Sequence, residues 1–260
     1  METTDSRSGP SDRGPKHISA NMAKRLLRDC VAATAYIALS SLIIGPIQST
    51  HASSIGSGDK KSYTIDLISR VKSKDKVFIT IDDGWFPNRD VLTLIEKDHI
   101  PTTTFLIGQA LVEHKAFWRE YSRVGSIQNH TLSHPFLTRL SNEGVMHQIE
   151  TDQVMIDKVT GNVPYILRPP YGDYNTRVIR DVALSHIEYV VMWSAEVPIG
   201  KDGYVREPFK IDTYNGKRLE PGEIILMHWD PGLYPAFKKL LRVIKSDGLR
   251  VGSLENHLRR

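Results

Sequence analysis

Short runs that are apolar or β-branched on both faces recur along this chain: KVFITI (76–81), TTTFLI (102–107), YILR (165–168), YVVMW (189–193) and EIILMH (223–228). Stretches of helical periodicity lie between them. A strand buried on both faces belongs to a parallel sheet covered by helices, because a sheet with one wet face alternates apolar and polar residues. One helix is expected from a cap near Asn88, with Val91, Leu92 and Ile95 on one side, and another over about 109–122. A third starts near Ser141, sets Val145, Ile149, Ile156 and Val159 at helical spacing and stops at Gly161. A fourth runs from about Asn175 to Ser185, and a last from about Tyr234 to Ser246 with Phe237, Leu240, Leu241 and Ile244 inward. The pattern leaves a closed barrel and an open doubly wound sheet as the α/β alternatives. No glycine fingerprint follows the first strand, so a dinucleotide fold has no support.

Residues 1–52 differ in kind from the rest. Basic side chains precede an uncharged apolar run from Cys30 to about Ile47, and the small residues Thr50 and Ala52 follow. That is the layout of a signal peptide cut after Ala52, with Met22 as an alternative start. A retained membrane anchor is the rival; Ser40, Ser41, Gly45 and Pro46 interrupt the run and suit a cleavable segment better. The expected location is therefore secreted or membrane-anchored on the extracytoplasmic side. Residues 53–72 open with the polar linker SSIGSGDKKS and lead into a catalytic domain expected over 73–260. Cys30 is the single cysteine, so the exported part holds no thiol for a disulfide, a nucleophile or a metal. The formal charge is +4, and the N-terminal segment carries six basic against four acidic side chains. The remainder is nearly neutral and has no basic run interleaved with aromatics, which argues against a nucleic-acid partner. A monomer is expected.

In parallel α/β architectures chemistry collects where strands end. Asp82 and Asp83 stand at the end of KVFITI, Arg168 ends YILR, Trp193 ends YVVMW and His228 ends EIILMH. His130 and His134 lie in the loop-like stretch HTLSHP, at the four-residue spacing that lets two imidazoles reach one metal from a single helical turn. Thr131 stands where helical zinc proteases carry a glutamate, so the third ligand and the base come from elsewhere, and the aspartate pair can supply both. Two adjacent carboxylates at a buried site are not both ionised without cations nearby. A metal on one and Arg168 beside the other would meet that need. Pro169 and Pro170 stiffen the backbone after Arg168 and fix the direction of its guanidinium and of the Tyr171 N–H.

In order and combination these elements resemble the polysaccharide deacetylase family, also called the NodB-homology or carbohydrate esterase family 4 domain. TIDDGW resembles its first motif, HTLSH its second, RPPYG its third and LMH its fifth, over roughly residues 75–254. The resemblance implies a distorted, incomplete (β/α) barrel and a divalent metal, most often zinc, with cobalt, nickel or manganese as alternatives. It also implies hydrolysis of N-acetyl or O-acetyl groups on an acetylated polysaccharide. By the same resemblance Asp82 is the base, Asp83, His130 and His134 hold the metal, and Arg168 orients the base. His228 is the acid, the Tyr171 N–H helps to hold the oxyanion, Leu226 lines the acetyl pocket, and Trp193 is a further substrate-binding residue. The chain departs from the pattern at the fourth motif, where Ser194 follows Trp193 in place of the aspartate that supports the acid histidine. Either Glu196 substitutes, or His228 has no carboxylate partner.

The leading expectation is a metal-dependent deacetylase of an N-acetylglucosamine polymer such as peptidoglycan or chitin. An O-acetyl esterase acting on xylan or a related glycan is the alternative within enzymes. A non-catalytic carbohydrate-binding relative, using Trp85, Trp193, Trp229 and Tyr234, is the alternative outside them.

Overall fold

The computed structural model describes residues 65–259 apart from positions 199, 201, 206 and 215. All of these fall within one compact unit, Lys60–Arg260. The segment read as a signal or anchor lies outside the described residues. Among the described residues no helix is long and apolar enough to cross a membrane.

In chain order the strands are β1 (Asp66–Ile68), β2 (Lys76–Asp83), β3 (Thr102–Leu106), β4 (Ser126–Asn129), β5 (Ile166–Leu167), β6 (Tyr189–Val191), β7 (Ala195–Glu196), β8 (Asp212–Thr213), β9 (Ile224–His228) and β10 (Arg250–Val251). The sheet runs β1-β6-β5-β4-β3-β2-β9-β7-β8, with β10 paired to the start of β2. Only the β7–β8 pair is antiparallel. The sheet curls into an incomplete (β/α) barrel, as the family resemblance implied, in place of the closed barrel or open doubly wound sheet that the strand pattern alone left open. Its base is drawn together where the chain after β1 meets the chain before β9, through the Val71 N–H on the Gly222 carbonyl at 2.8 Å. A Cβ at position 222 would overlap the Val71 carbonyl oxygen, and φ there is +92°. Gly222→Ala is therefore expected to destabilise the fold by about 2 kcal/mol or more, combining overpacking against rigid backbone with left-handed strain. An unchanged denaturation midpoint would contradict this.

The helices are α1 (Arg89–Lys97), α2 (Gly108–Glu113), α3 (Lys115–Tyr121), α4 (Asn142–Thr160), α5 (Thr176–Leu184), α6 (Leu233–Ser246) and α7 (Glu255–Leu258). Their caps follow the sequence. The Asn88 side chain accepts from Asp90 and Val91 N–H, Ser141 from Gly144 N–H and Asn175 from Val178 N–H, while Gly161 closes α4 at φ 75°. The one helix expected over 109–122 is two, broken at His114, whose φ of −133° is not helical.

Alternation along β2 sorts the core. Val77, Ile79 and Ile81 face outward into a cluster with α1, α2, α3 and α6, whereas Phe78 faces the barrel lumen with Phe105, Ile166, Val191, Ile224 and Leu254. A smaller outer cluster seats α4 and α5 on Leu167 and Val190. The register of β2 against β9 pairs Phe78 with Ile224, Thr80 with Leu226 and Asp82 with His228. The lumen therefore has an apolar floor, then a threonine layer, then an aspartate and a histidine side by side at the open end.

Candidate active site

Successive side chains of a strand point to opposite faces, so Asp82 and Asp83 would normally diverge. They do not, because Asp83 takes φ 74° and turns its carboxylate back over the lumen. Asp82 Oδ2 and Asp83 Oδ1 then lie 3.7 and 3.5 Å from the same atom, His130 Nε2. Thr131, His134 and Tyr171 also hold left-handed φ, of 70°, 59° and 59°. Non-glycine residues in this region cost on the order of 1 kcal/mol each and persist only where the surroundings enforce them.

Arg168 is fully buried, and four of its five N–H donors are engaged. Its guanidinium donates to Asp82 Oδ1 at 2.7 Å, Thr80 Oγ1 at 2.8 Å, the Val191 carbonyl at 3.1 Å and the Met192 carbonyl at 2.9 Å. Its guanidinium carbon lies 4.2 Å from the centroid of the Phe105 ring. The guanidinium thus fixes Asp82 Oδ1 and leaves Oδ2 to face the cluster.

Asp83 Oδ1, His130 Nε2 and His134 Nε2 form a group whose ligand atoms all lie within 4.8 Å of one another. Their individual separations are 3.1 Å between the histidines and 3.5 and 3.6 Å to the carboxylate. The His130 Nδ1–H donates to the Arg168 carbonyl at 2.8 Å, which leaves the Nε2 lone pair for the cluster. Asp83 Oδ1 is buried without a hydrogen-bond partner. A buried orphan carboxylate oxygen facing two imidazole lone pairs fits a divalent cation, and one carboxylate with two histidines leaves coordination positions open.

Burial alone would raise the Asp83 carboxyl, but the neighbouring His130, 3.5 Å away, with His228 and His134 beyond it, carries it below the usual carboxylate value. Burial likewise opposes protonation of His130; Asp82 first, then Asp83, overcome it and raise that imidazole above its ordinary 6.5. Burial and the neighbouring His130 push His134 down to about 4.

The loop that carries both histidines is not a helical turn. Helix α4 holds it from behind: the Leu132 N–H donates to the Gln148 carbonyl, the Ser133 N–H to Gln148 Oε1, and Asn129 Nδ2 to the Ile149 carbonyl. Asp152, fully buried on the same helix, accepts the His130 N–H at 3.1 Å, and burial pushes its carboxyl well above the usual range. Sequence reading passed over Asp152. The signal was there, since it stands in the apolar stripe of Val145, Ile149 and Ile156, where a carboxylate is out of place. Asp152→Asn, which keeps an acceptor for the His130 N–H, is expected to change stability by less than about 1 kcal/mol, while Asp152→Ala costs about 1–3 kcal/mol. The loosened loop would also weaken metal binding by about 10- to 100-fold. Denaturant midpoints and a metal titration on the two variants check both.

Residues 69–190 match the family described as polysaccharide deacetylase. An uncharacterized protein of Streptomyces coelicolor is 32% identical over 200 residues, 74% of this chain and 77% of that one. The chain belongs to the polysaccharide deacetylase family. Its likeness to the peptidoglycan-N-acetylglucosamine deacetylase PgdA of Listeria monocytogenes is 26% over 172 residues, which span 64% of this chain and 35% of that protein. A solved CE4 family pseudoenzyme from Bacillus anthracis shares the fold at TM-score 0.63 and 21% identity, over 75% of this chain and 69% of that one.

Within this deacetylase fold, Ser194 braces the sheet, its buried Oγ accepting the Ile224 N–H at 3.3 Å at the base of β9. Glu196 pairs along the sheet with Leu226, two residues short of His228. The carboxylate that shares the surroundings of His228 is Asp230, raised by burial and by Asp83 and lowered by His228. His228 Nδ1 and Asp230 Oδ2 are both buried without a hydrogen-bond partner. Leu226 is buried two residues before His228 on β9, and Trp193 stands between Arg168, 5.7 Å away, and the Gly172 turn. Tyr171 is exposed on the rim. Of the aromatics considered for sugar binding, Trp229 is 1% exposed and bonded to Thr104, a core residue.

Proposed function

We propose that this chain is a metal-dependent hydrolase that removes N-acetyl groups from an N-acetylglucosamine-containing polysaccharide. The observation that carries the reading is the convergence at one barrel mouth of an arginine-held carboxylate, an open Asp83–His130–His134 set and a histidine paired across the sheet from that carboxylate. A bound divalent ion, zinc in the first instance, would act as a Lewis acid on the acetyl oxygen and lower the pKa of water.

The chain's own residues supply the rest. Asp82, held by Arg168 through one oxygen, takes the proton of the attacking water with the other. His228 gives a proton to the amide nitrogen, which cannot leave as an anion. Leu226 and Trp193 form the apolar wall for the acetyl methyl, and the Tyr171 N–H faces the developing oxyanion, where a single donor is worth on the order of 3 kcal/mol. The N-terminal sequence favours action outside the cytoplasm.

Acetate release from chitooligosaccharides and from peptidoglycan, before and after metal is stripped and returned, tests the reading. Metal-dependent release from either supports it. Release only from O-acetylated xylan would replace it with the esterase reading, and binding without any release would favour a non-catalytic relative.

A further inference from the structure

Four side chains form an unbroken column from the metal cluster to the rim. Tyr171 meets His134 edge-on, with ring centroids 4.4 Å apart. Phe136 stacks on Tyr171 at 4.1 Å and 17°, and the Arg139 guanidinium carbon lies 4.3 Å over Phe136. The column is tied down from behind. The Thr138 N–H and hydroxyl both donate to the Asp173 carboxylate at 2.8–2.9 Å, and Arg177 donates to the Leu137 and Thr138 carbonyls. The loop carrying Phe136 and Arg139 is thereby fastened to the loop carrying Tyr171.

Phe136 and Tyr171 are 38% and 58% exposed, an aromatic patch at a catalytic rim that normally suggests sugar stacking. Stacking is not what this geometry offers. Tyr171 stacks on Phe136, and the Arg139 guanidinium carbon lies 4.3 Å from the same ring's centroid, so a sugar approaching Phe136 meets the guanidinium. What the column presents to a ligand is the guanidinium. A guanidinium held against an aromatic ring by a cation–π contact keeps N–H donors for a carboxylate, which it can bind through two hydrogen bonds. Many basic side chains of the fold are already paired: Arg70 with Glu223, Arg89 with Glu120, Arg180 with Asp181 and Arg250 with Asp75. Arg139 has no carboxylate partner among the described residues.

We propose that Arg139 is a carboxylate-binding residue that selects an amino-sugar polymer bearing a carboxylate on the sugar next to the one deacetylated. The proposal rests on the deacetylase reading and narrows it, because chitin has no such group. The carboxylate belongs either to a lactyl ether, as on peptide-free peptidoglycan strands, or to a uronic acid alternating with N-acetylglucosamine.

The test compares wild type, Arg139→Gln and Arg139→Lys on four oligosaccharides of equal length: chitooligosaccharide, lactyl-ether glycan, the same glycan methyl-esterified, and the alternating uronate. Affinity is read by calorimetry and kcat/KM by acetate release. Arg139→Gln is expected to lose about tenfold in affinity and in kcat/KM on the carboxylated glycan that fits, with less than about twofold change on the neutral ones. Arg139→Lys should recover part of the loss, as it keeps the charge without the fork. Which of the two carboxylated glycans shows the loss names the source of the group. An equal loss on charged and neutral glycans, or none, overturns the proposal. Wild type that releases no acetate yet binds a carboxylated glycan more tightly than its ester would sink the deacetylase reading and leave the carboxylate site standing.

Discussion

Replacing Asp82 by Asn is expected to lower acetate release by about 100- to 10,000-fold and to destabilise the fold by about 3–5 kcal/mol. The two effects have different origins. Asparagine still accepts from the Arg168 guanidinium but takes no proton from water, which removes the base. It also leaves a fully buried guanidinium without its counter-charge, since its other acceptors, Thr80, Val191 and Met192, are neutral. Breaking one side of a buried ion pair is costly because the stranded charge stays desolvated, whereas replacing both sides by apolar groups is often close to neutral. The double variant Asp82→Leu with Arg168→Met, apolar on both sides, should therefore regain much of the stability and none of the activity. Chemical denaturation and acetate assays on the three proteins separate the roles. A single variant as stable and as active as wild type would remove Asp82 from both.

That pairing also shows which parts of the molecule are legible in the sequence. Strands β2, β3 and β9 are readable because they are buried on both faces, and β2 and β9 end in polar residues at the same level. Nothing but a shared pocket explains Asp82, Arg168 and His228 at three strand ends. Strand β4 was missed, because its residues Gln128 and Asn129 are polar. Their amides are used inward: Gln128 Oε1 accepts the Tyr165 and Ile166 N–H groups, and Asn129 Oδ1 accepts that of Thr131. Two-residue strands such as β7 and β10 leave no periodicity to read. Asp230 is hidden for another reason, as its surroundings are set by Asp83, far away in sequence. The turn that lets adjacent aspartates converge was equally hidden, since it is a backbone angle at Asp83 and not a residue type.

Metal affinity should depend on pH with a break set by His130. In the metal-free protein this imidazole holds its proton to a pH above 6.5, because Asp82 and Asp83 outweigh its burial. A cation needs the neutral ring, so binding below that break releases one proton, and the apparent affinity falls about tenfold for each pH unit of acidification. Above the break the affinity is level. His134, held down to about 4, and Asp83, held below the usual carboxylate value, add no competing proton until the solution is far more acidic, where the slope steepens. His130→Ala removes the ligand and the competing proton together. It should weaken binding by at least about 100-fold, beyond the 10- to 100-fold typical of a lost supporting partner, and replace the His130 break by that of His134, which is relieved of the His130 charge. Competition against a chromophoric chelator across the pH range, on wild type and His130→Ala, measures all of this. A wild-type affinity that stays level as pH falls through about 6 would mean that the proton on His130 is not what the metal displaces. The ligand set would then have to be redrawn around the other nitrogen and oxygen atoms of the cluster.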